Sequence, residues 1–290
     1  MDESKHEIDL IDASPTKSFF VDMFTRDIPL EQAILDLIDN CIDGALASTT
    51  KSAENRFNDL WVNLDFDKDE FWIVDNCGGF STEIAREYAF RFGREETDDE
   101  RPRPRNAIGQ FGVGMKRALF KFGRHFTVQS ATTEEEWGID VHVPTWERQK
   151  AWTFEWADFD TEHEISRSNP GTEIHVWELN PEVSARFRTK TFENQIRDLV
   201  QSKHRKFIKQ GLEIKINGKA VLPLPLTIFS GGGISPAVHK EVFEFTKNAD
   251  VTAWVIAGIS DSSPRAAGWY VICNGRMILE ADTSELTGWR

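Results

Sequence analysis

Tyrosine is nearly absent from the chain, with two residues, and cysteine is scarce, with three: Cys41, Cys77 and Cys273. Three widely spaced cysteines make neither an even disulfide set nor a pair at metal-ligand spacing, so a reduced, cytoplasmic setting (nuclear in a nucleated cell) is the default expectation. No apolar run approaches the roughly 20 residues of a membrane-spanning helix, which argues against a membrane partner. The opening MDESKHEIDL is acidic and lacks the basic-then-apolar layout of a secretory signal. Positive charge is short as well: 34 Lys and Arg against 48 Asp and Glu leave a net charge of −14. Such a surface repels phosphodiester backbones unless its basic groups gather on one face. The one basic cluster, Lys203, His204, Arg205, Lys206 and Lys209, falls in an expected helix, where a solvated face accounts for it. Direct nucleic-acid binding is therefore not supported. The seven histidines form no HxxxH or similar cluster, which excludes a metalloenzyme of that kind.

What is present is an ordinary globular composition, 40% hydrophobic and 28% charged over 290 residues, a length that suits two domains. Phenylalanine (21) and tryptophan (10) far outnumber tyrosine, an excess that the sequence itself connects to no mechanism. Pro15 precedes a short helical stretch, and Pro29 introduces a longer helix over Leu30 to Ala47. On that helix Gln32, Asp36, Asp39, Asn40 and Asp43 form one polar stripe at about 100° per residue. Ile34, Leu37, Ile38, Cys41, Ile42 and Ala45 take the core side. Taken alone, the stripe fits a solvated face better than a pocket wall.

β-rich runs at 60–66 and 71–74 flank a charged turn and predict a hairpin. Further strands are expected at 126–129, 137–143, 152–156 and 172–177, and a helix over 191–208 closes the first domain. Residues 91–108 combine an acidic block with Arg101-Pro-Arg-Pro-Arg105 and read as a long loop. After a boundary near 208, LEIKINGKAV and WYVICNGRMILE carry Asn-Gly hairpin turns.

Three segments carry candidate chemistry. Asp75 ends a β-rich run, followed by Gly78 and Gly79, which permit a tight turn and a close ligand approach. A buried carboxylate there accepts hydrogen bonds from an exocyclic amine, although a plain Asx turn also explains the pattern. Gly109 to Lys116 is a glycine-rich entry to a helix. It is neither a Walker A loop nor a dinucleotide fingerprint, yet free N–H groups and an ammonium suit polyphosphate. A flexible hinge explains it as well. Pro170-Gly171-Thr172 opens a strand and is weak evidence by itself.

LDLIDNCIDGA, VDNCGGFS, IGQFGVGMKRALFKFG and PGTEI, in that order over residues 30–175, resemble the motif series of the GHKL ATPase superfamily. That superfamily includes gyrase B, heat-shock chaperone, MutL and histidine-kinase ATP-binding domains. GQFGVG looks like the chaperone version, and the lysine after it is similar to the MORC and MutL-like branches. The resemblance implies an α+β fold of the Bergerat type: a two-layer sandwich with helices on one face of a mixed, mostly antiparallel sheet. This ATP-binding domain would span 1–208 with a lid at 91–108, followed by the opening, cut short at Arg290, of a β-rich transducer-like domain over 209–290. It further implies ATP and Mg2+ as ligands, with Asn40 on the metal, Asp36 as the catalytic carboxylate, and Asp75 reading adenine. Gly79 and Thr172 would stand beside the base. Gly109, Phe111, Gly112, Val113, Gly114 and Lys116 would bind phosphate. Relatives couple lid closure to homodimerisation, so a nucleotide-dependent homodimer and a further protein partner are expected.

Two departures bear on activity. Asp36 stands where hydrolytic members carry glutamate, and its oxygens withdraw by about 1.5 Å, one C–C bond; a misplacement of ~1 Å can cost on the order of 10²-fold in rate. Cys77 replaces the first glycine of its box. Two readings follow: a slow Mg2+-dependent ATPase, or a nucleotide-gated binding module with little or no turnover. The only His-acid pairs, His6-Glu7 and His163-Glu164, lie in no dimerising hairpin, which argues against a histidine kinase.

Overall fold

A computed structural model describes residues 13–49, 55–92, 108, 114–158, 164–224, 226–244, 251–261 and 266–288. The expected lid, apart from its two ends, and the expected phosphate-loop residues Gly109, Phe111, Gly112 and Val113 lie outside these.

Two helices open the described chain, α1 (Lys17–Arg26) and α2 (Leu30–Ser48). Thr16 caps α1 by accepting the Phe19 N–H, and Pro29, with φ −61°, sets the chain for the first turn of α2. The hairpin β1 (Trp61–Phe66) and β2 (Glu70–Asp75) follows. A short helix α3 (Thr82–Ile84), capped by Ser81, continues into a π-helical turn at Ala85–Ala89. Then come α4 (Gly114–Phe122), β3 (Gly123–Ala131), β4 (Glu136–His142), α5 (Val143–Arg148), β5 (Trp156–Ala157) and β6 (Gly171–Leu179). Helices α6 (Pro181–Phe187), α7 (Lys190–Lys203) and α8 (Arg205–Lys209) precede β7 (Glu213–Ile216) and β8 (Lys219–Ala220). The expected helix over 191–208 is thus two helices broken at His204, and the expected strand at 152–156 shrinks to its last residue and the one after.

The strands form one sheet in the order β5-β4-β3-β6-β2-β1-β7-β8. Every neighbouring pair is antiparallel except β1 and β7, where Trp61 to Leu64 align with Glu213 to Ile216. The sheet is therefore mixed and mostly antiparallel, and the fold is α+β. Alternation along the strands sends Val62, Leu64, Phe71, Ile73, Phe126, Val128 and Val176 into the core. Helical side chains meet them there: Phe71 packs on Phe122 of α4 at 4.6 Å, Phe66 on Phe187 of α6 at 4.8 Å, and Phe120 on Phe126 at 5.6 Å. On the opposite face Trp72, His175, Trp177 and His125 stack ring on ring across β2, β6 and β3 at 3.5, 4.6 and 3.9 Å.

The tryptophan and phenylalanine excess has a structural use. Phe20 and Phe24 of α1, Phe92, Phe120, Trp146, Trp152 and Phe154 pack edge-to-face and tilted into one cluster. Rings without a hydroxyl suit such a site: phenylalanine asks for no buried polar partner, and tryptophan only for one to its single N–H. Lys17, 5% exposed, ties α1 to it by donating to the Trp146 carbonyl at 2.8 Å and the Ala151 carbonyl at 2.5 Å.

The chain divides into two compact units, Met1–Val200 with Gln210–Val221, and Gln201–Lys209 with Leu222–Arg290. Leu212 to Val221, expected in the second domain, instead extends the first unit's sheet, because Ile214 and Ile216 alternate onto its buried face. The second unit holds two hairpins, β9 (Ala237–Phe243) with β10 (Val251–Ala257) and β11 (Trp269–Cys273) with β12 (Arg276–Asp282). Asn274 and Gly275 turn the latter at φ 50° and 92°, as an Asn-Gly hairpin requires. Among the described residues, no helix is long and apolar enough to cross a membrane.

Candidate functional site

A cavity of about 140 Å³ lies between α2, the ends of β2 and β6, and the start of α4. Helix α2 contributes Leu37, Asn40, Cys41 and Gly44. Positions 37, 40, 41 and 44 repeat at three- and four-residue spacing and so share one line of the helix. Sequence reasoning put Leu37 and Cys41 on the core side; they border the cavity because its wall is mostly apolar, as ligand pockets are. Of the expected polar stripe, only Asn40 is on the wall. Asp43 accepts the Ile108 N–H at 2.7 Å, and Asp39 is buried.

Asp75 is the last residue of β2, paired with Val62 on one side and Thr172 on the other. The strand register thus carries its carboxyl to the cavity, 4% exposed. Burial pushes its pKa up to about 6, against hydrogen bonds from the Cys77 N–H, the Cys41 thiol and the Thr172 N–H that favour the charged form. The Cys77 N–H reaches Oδ1 at 2.7 Å. Burial, and then the nearby Asp75 charge, raise the Cys41 and Cys77 thiols well above their ordinary pKa. Ile73 and Ile174, which also line the cavity, alternate with Asp75 and Thr172 along β2 and β6. Period two alone could have located them.

The turn after β2 brings Cys77, Gly79 and Phe80 to the wall. The left-handed conformations fall on Gly78 (φ 102°) and Gly79 (φ 61°), and Cys77 is in neither, so the loss of the first glycine leaves the turn intact. Gly79 is also packed so closely that a Cβ would stand 2.1 Å from the Ala131 carbonyl oxygen and 2.8 Å from that of Gly171. Gly79→Ala is therefore expected to lose at least about 2 kcal/mol of stability, visible as a lowered midpoint in thermal or denaturant unfolding. An unchanged midpoint would mean that the turn relaxes. Ser130, which sequence reasoning missed, holds this corner: its Oγ accepts the Phe80 N–H at 2.9 Å and lies 3.1 Å from Thr172 Oγ1.

Asp36 sits beside the cavity rather than on its wall. Gln32 Nε2 donates to Asp36 Oδ1 at 2.6 Å, and Asp36 packs so tightly against Gly114 that a Cβ there would meet Asp36 Oδ2 at 3.1 Å. This carboxylate thus faces the first turn of α4, where N–H groups and the helix dipole favour negative charge. Met115, the next residue of α4, borders the cavity.

Lys116, expected at phosphate, points elsewhere. It is 2% exposed and donates to the Tyr88 carbonyl at 3.1 Å and the Arg91 carbonyl at 2.5 Å. Tyr88 lies in the π-helical turn and Arg91 two residues beyond it, so the ammonium ties that stretch to α4. Lys116→Met should leave those acceptors without this donor and cost about 1–3 kcal/mol, read as a lower melting temperature without nucleotide. A pure phosphate ligand would leave that temperature unchanged.

The structure thus gathers Asn40, Asp75, Gly79 and Thr172 at one cavity, with Asp36 and Gly114 adjoining and Lys116 turned away. Among the described residues, no three His, Cys, Asp or Glu side chains are grouped to hold a metal. Asn40 offers a hard carboxamide oxygen on an exposed side chain at the rim, which fits an ion that takes one or two protein oxygens and completes its shell with phosphate and water.

Residues 28–172, half of the chain, match the model of a family described as histidine kinase-, DNA gyrase B-, and HSP90-like ATPase. No curated protein matches the sequence. The matched span starts two residues before α2 and ends on Thr172, so it contains every wall of the cavity except Ile174.

Proposed function

The chain belongs to the family of histidine kinase-, DNA gyrase B- and HSP90-like ATPases, and from that premise we propose that it binds ATP with Mg2+ in this cavity and hydrolyses it slowly. The observation that carries the reading is the buried Asp75 carboxyl at a cavity wall, held by the Cys77 N–H and flanked by Thr172. A carboxylate in that setting accepts hydrogen bonds from the exocyclic amine of adenine, and Ile73, Ile174, Leu37 and Met115 supply the apolar walls for a flat base. Asn40 holds the magnesium ion, which when bound neutralises phosphate charge. Gly114, which starts α4, and Gly109, Phe111, Gly112 and Val113 before it in sequence are assigned to the phosphates, since the N–H groups of a helix N-terminus favour an anion.

Asp36 orients the attacking water in this reading, and Gln32 fixes the carboxylate that does so. Nucleotide draws the 91–108 segment over the site and brings two copies together, and the setting is cytoplasmic or nuclear. Calorimetric titration with a non-hydrolysable ATP analogue tests the binding step: saturable, Mg2+-dependent heat is expected, and its absence overturns the reading. Light scattering with and without the analogue tests pairing.

One observation favours a second reading, a nucleotide-gated module without turnover. Asp36 is a carbon shorter than the family glutamate, is bonded to Gln32 and packs under Gly114, off the cavity wall.

A further inference from the structure

Three of the chain's seven histidines stand on the sheet face opposite the helical core, away from the cavity. Two of them, His125 of β3 and His142 of β4, are direct partners in the strand register, with ring centroids 5.2 Å apart. Each ring has one nitrogen already engaged. His125 Nε2 lies 2.7 Å from Asp140 Oδ1, and His142 Nδ1 lies 2.7 Å from Thr145 Oγ1. A carboxylate or hydroxyl that accepts there keeps the proton of a neutral ring on that nitrogen, so the other nitrogen keeps its lone pair. The two remaining nitrogens converge on one carboxylate: His125 Nδ1 is 4.0 Å from Glu178 Oε1, and His142 Nε2 is 3.7 Å from Glu178 Oε2. Strand alternation would send Glu178 to the face opposite Trp177. It holds φ 50° instead, left-handed for a residue other than glycine, and its carboxylate reaches the histidines.

We propose that His125, His142 and Glu178 form a Zn2+ site, with Asp140 and Thr145 orienting the two imidazoles. Two neutral imidazoles, each held by an outer hydrogen bond, and one carboxylate are the ligand set of a zinc ion that keeps its fourth position for water or for a donor from a partner. Two imidazoles bound tetrahedrally at about 2.0–2.1 Å hold their centroids roughly 5 Å apart, and neighbouring donor atoms stand ~3.3 Å apart. His125 and His142 already meet the first requirement. Glu178 falls short of the second, so the three do not make a closed metal group as they stand. Its side chain is 51% exposed and can turn to close the gap. The ligands come from three strands, so no spacing in the sequence announces the site. None of them lines the cavity, and the proposal is independent of the nucleotide reading.

The test is calorimetric titration of the nucleotide-free full chain with zinc chloride, beside His142→Asn, Asp140→Asn and Cys273→Ser. Wild type should take up a single ion saturably, and Zn2+ should raise its melting temperature. Asp140→Asn, which touches no ion, should weaken the affinity by about 10–100-fold through the orientation of His125. His142→Asn removes a ligand and should weaken it further. Cys273 is the exposed cysteine, and Cys273→Ser should bind like wild type. Glu178→Gln gives the same reading if His142→Asn folds poorly, which its zinc-free melting temperature reports. Co2+ in place of Zn2+ should give the intense visible bands of a tetrahedral site. No saturable uptake by wild type overturns the proposal, as does uptake that His142→Asn and Glu178→Gln leave unchanged. Loss of uptake in Cys273→Ser overturns it too, because the ion would then sit on the thiol.

Discussion

Asp75→Asn should abolish adenine-nucleotide binding and at the same time make the nucleotide-free protein more stable at neutral pH. Both effects have one cause. The carboxyl is 4% exposed, and burial lifts its pKa from 3.8 to about 6. Between those values the folded chain binds a proton that the unfolded chain has released, so stability falls as pH rises through this window. At neutral pH the buried charge costs about 3 kcal/mol, at 1.36 kcal/mol per pKa unit. Asparagine keeps an oxygen to accept the Cys77 N–H and carries no charge, so the melting temperature should rise by several degrees at pH 7.5. Below about pH 4 the gain should vanish, because wild-type Asp75 is then protonated in both states. Binding should weaken by ~10²-fold or more, since a site built around one buried acceptor rejects a partner it cannot pair. A variant that binds like wild type refutes the adenine assignment. A variant that loses binding without gaining stability shows that the charge is compensated in the free protein.

Asp36→Ala should lower steady-state phosphate release by on the order of 10²-fold or more, the worth of a positioned base, while leaving affinity for the ATP analogue within about threefold. Under the hydrolytic reading the affinity is spared because Asp36 is off the wall proposed for the base, held by Gln32 and packed against Gly114. It can act on a water near the phosphates without touching the base. Release at background from wild type and variant alike leaves only the binding module. A large loss of affinity instead would mean that Asp36 mainly supports the first turn of α4. The two substitutions therefore separate the two tasks proposed for the cavity, one reading the base and the other acting at the phosphates.

The hairpin of β1 and β2 was legible because alternating apolar residues meet a charged turn, a signal carried within fifteen residues. The parallel pairing of β7 with β1 was not, since LEIKI shows that a strand forms without showing which strand it joins. The aromatic cluster is of the same kind: no spacing in the sequence indicates that Phe20, Phe92, Trp146 and Trp152 share it. Lys116 was placed at phosphate by its neighbours in sequence, but an ammonium goes to the nearest carbonyls, and the chain folds Tyr88 and Arg91 against it.

The sequence by itself determined many of the elements and the order of the four motifs, because turn residues and hydrophobic period act over a few positions. It also determined that α2 has a face able to line a site. Only the tertiary structure decided which residues of that face do so. Leu37, Asn40, Cys41 and Gly44 meet Asp75 because β2 lies beneath them, and Asp36, one position from Leu37, turns instead toward α4. A helix fixes the angle between its own side chains, but what each one faces is set by packing partners from distant parts of the chain.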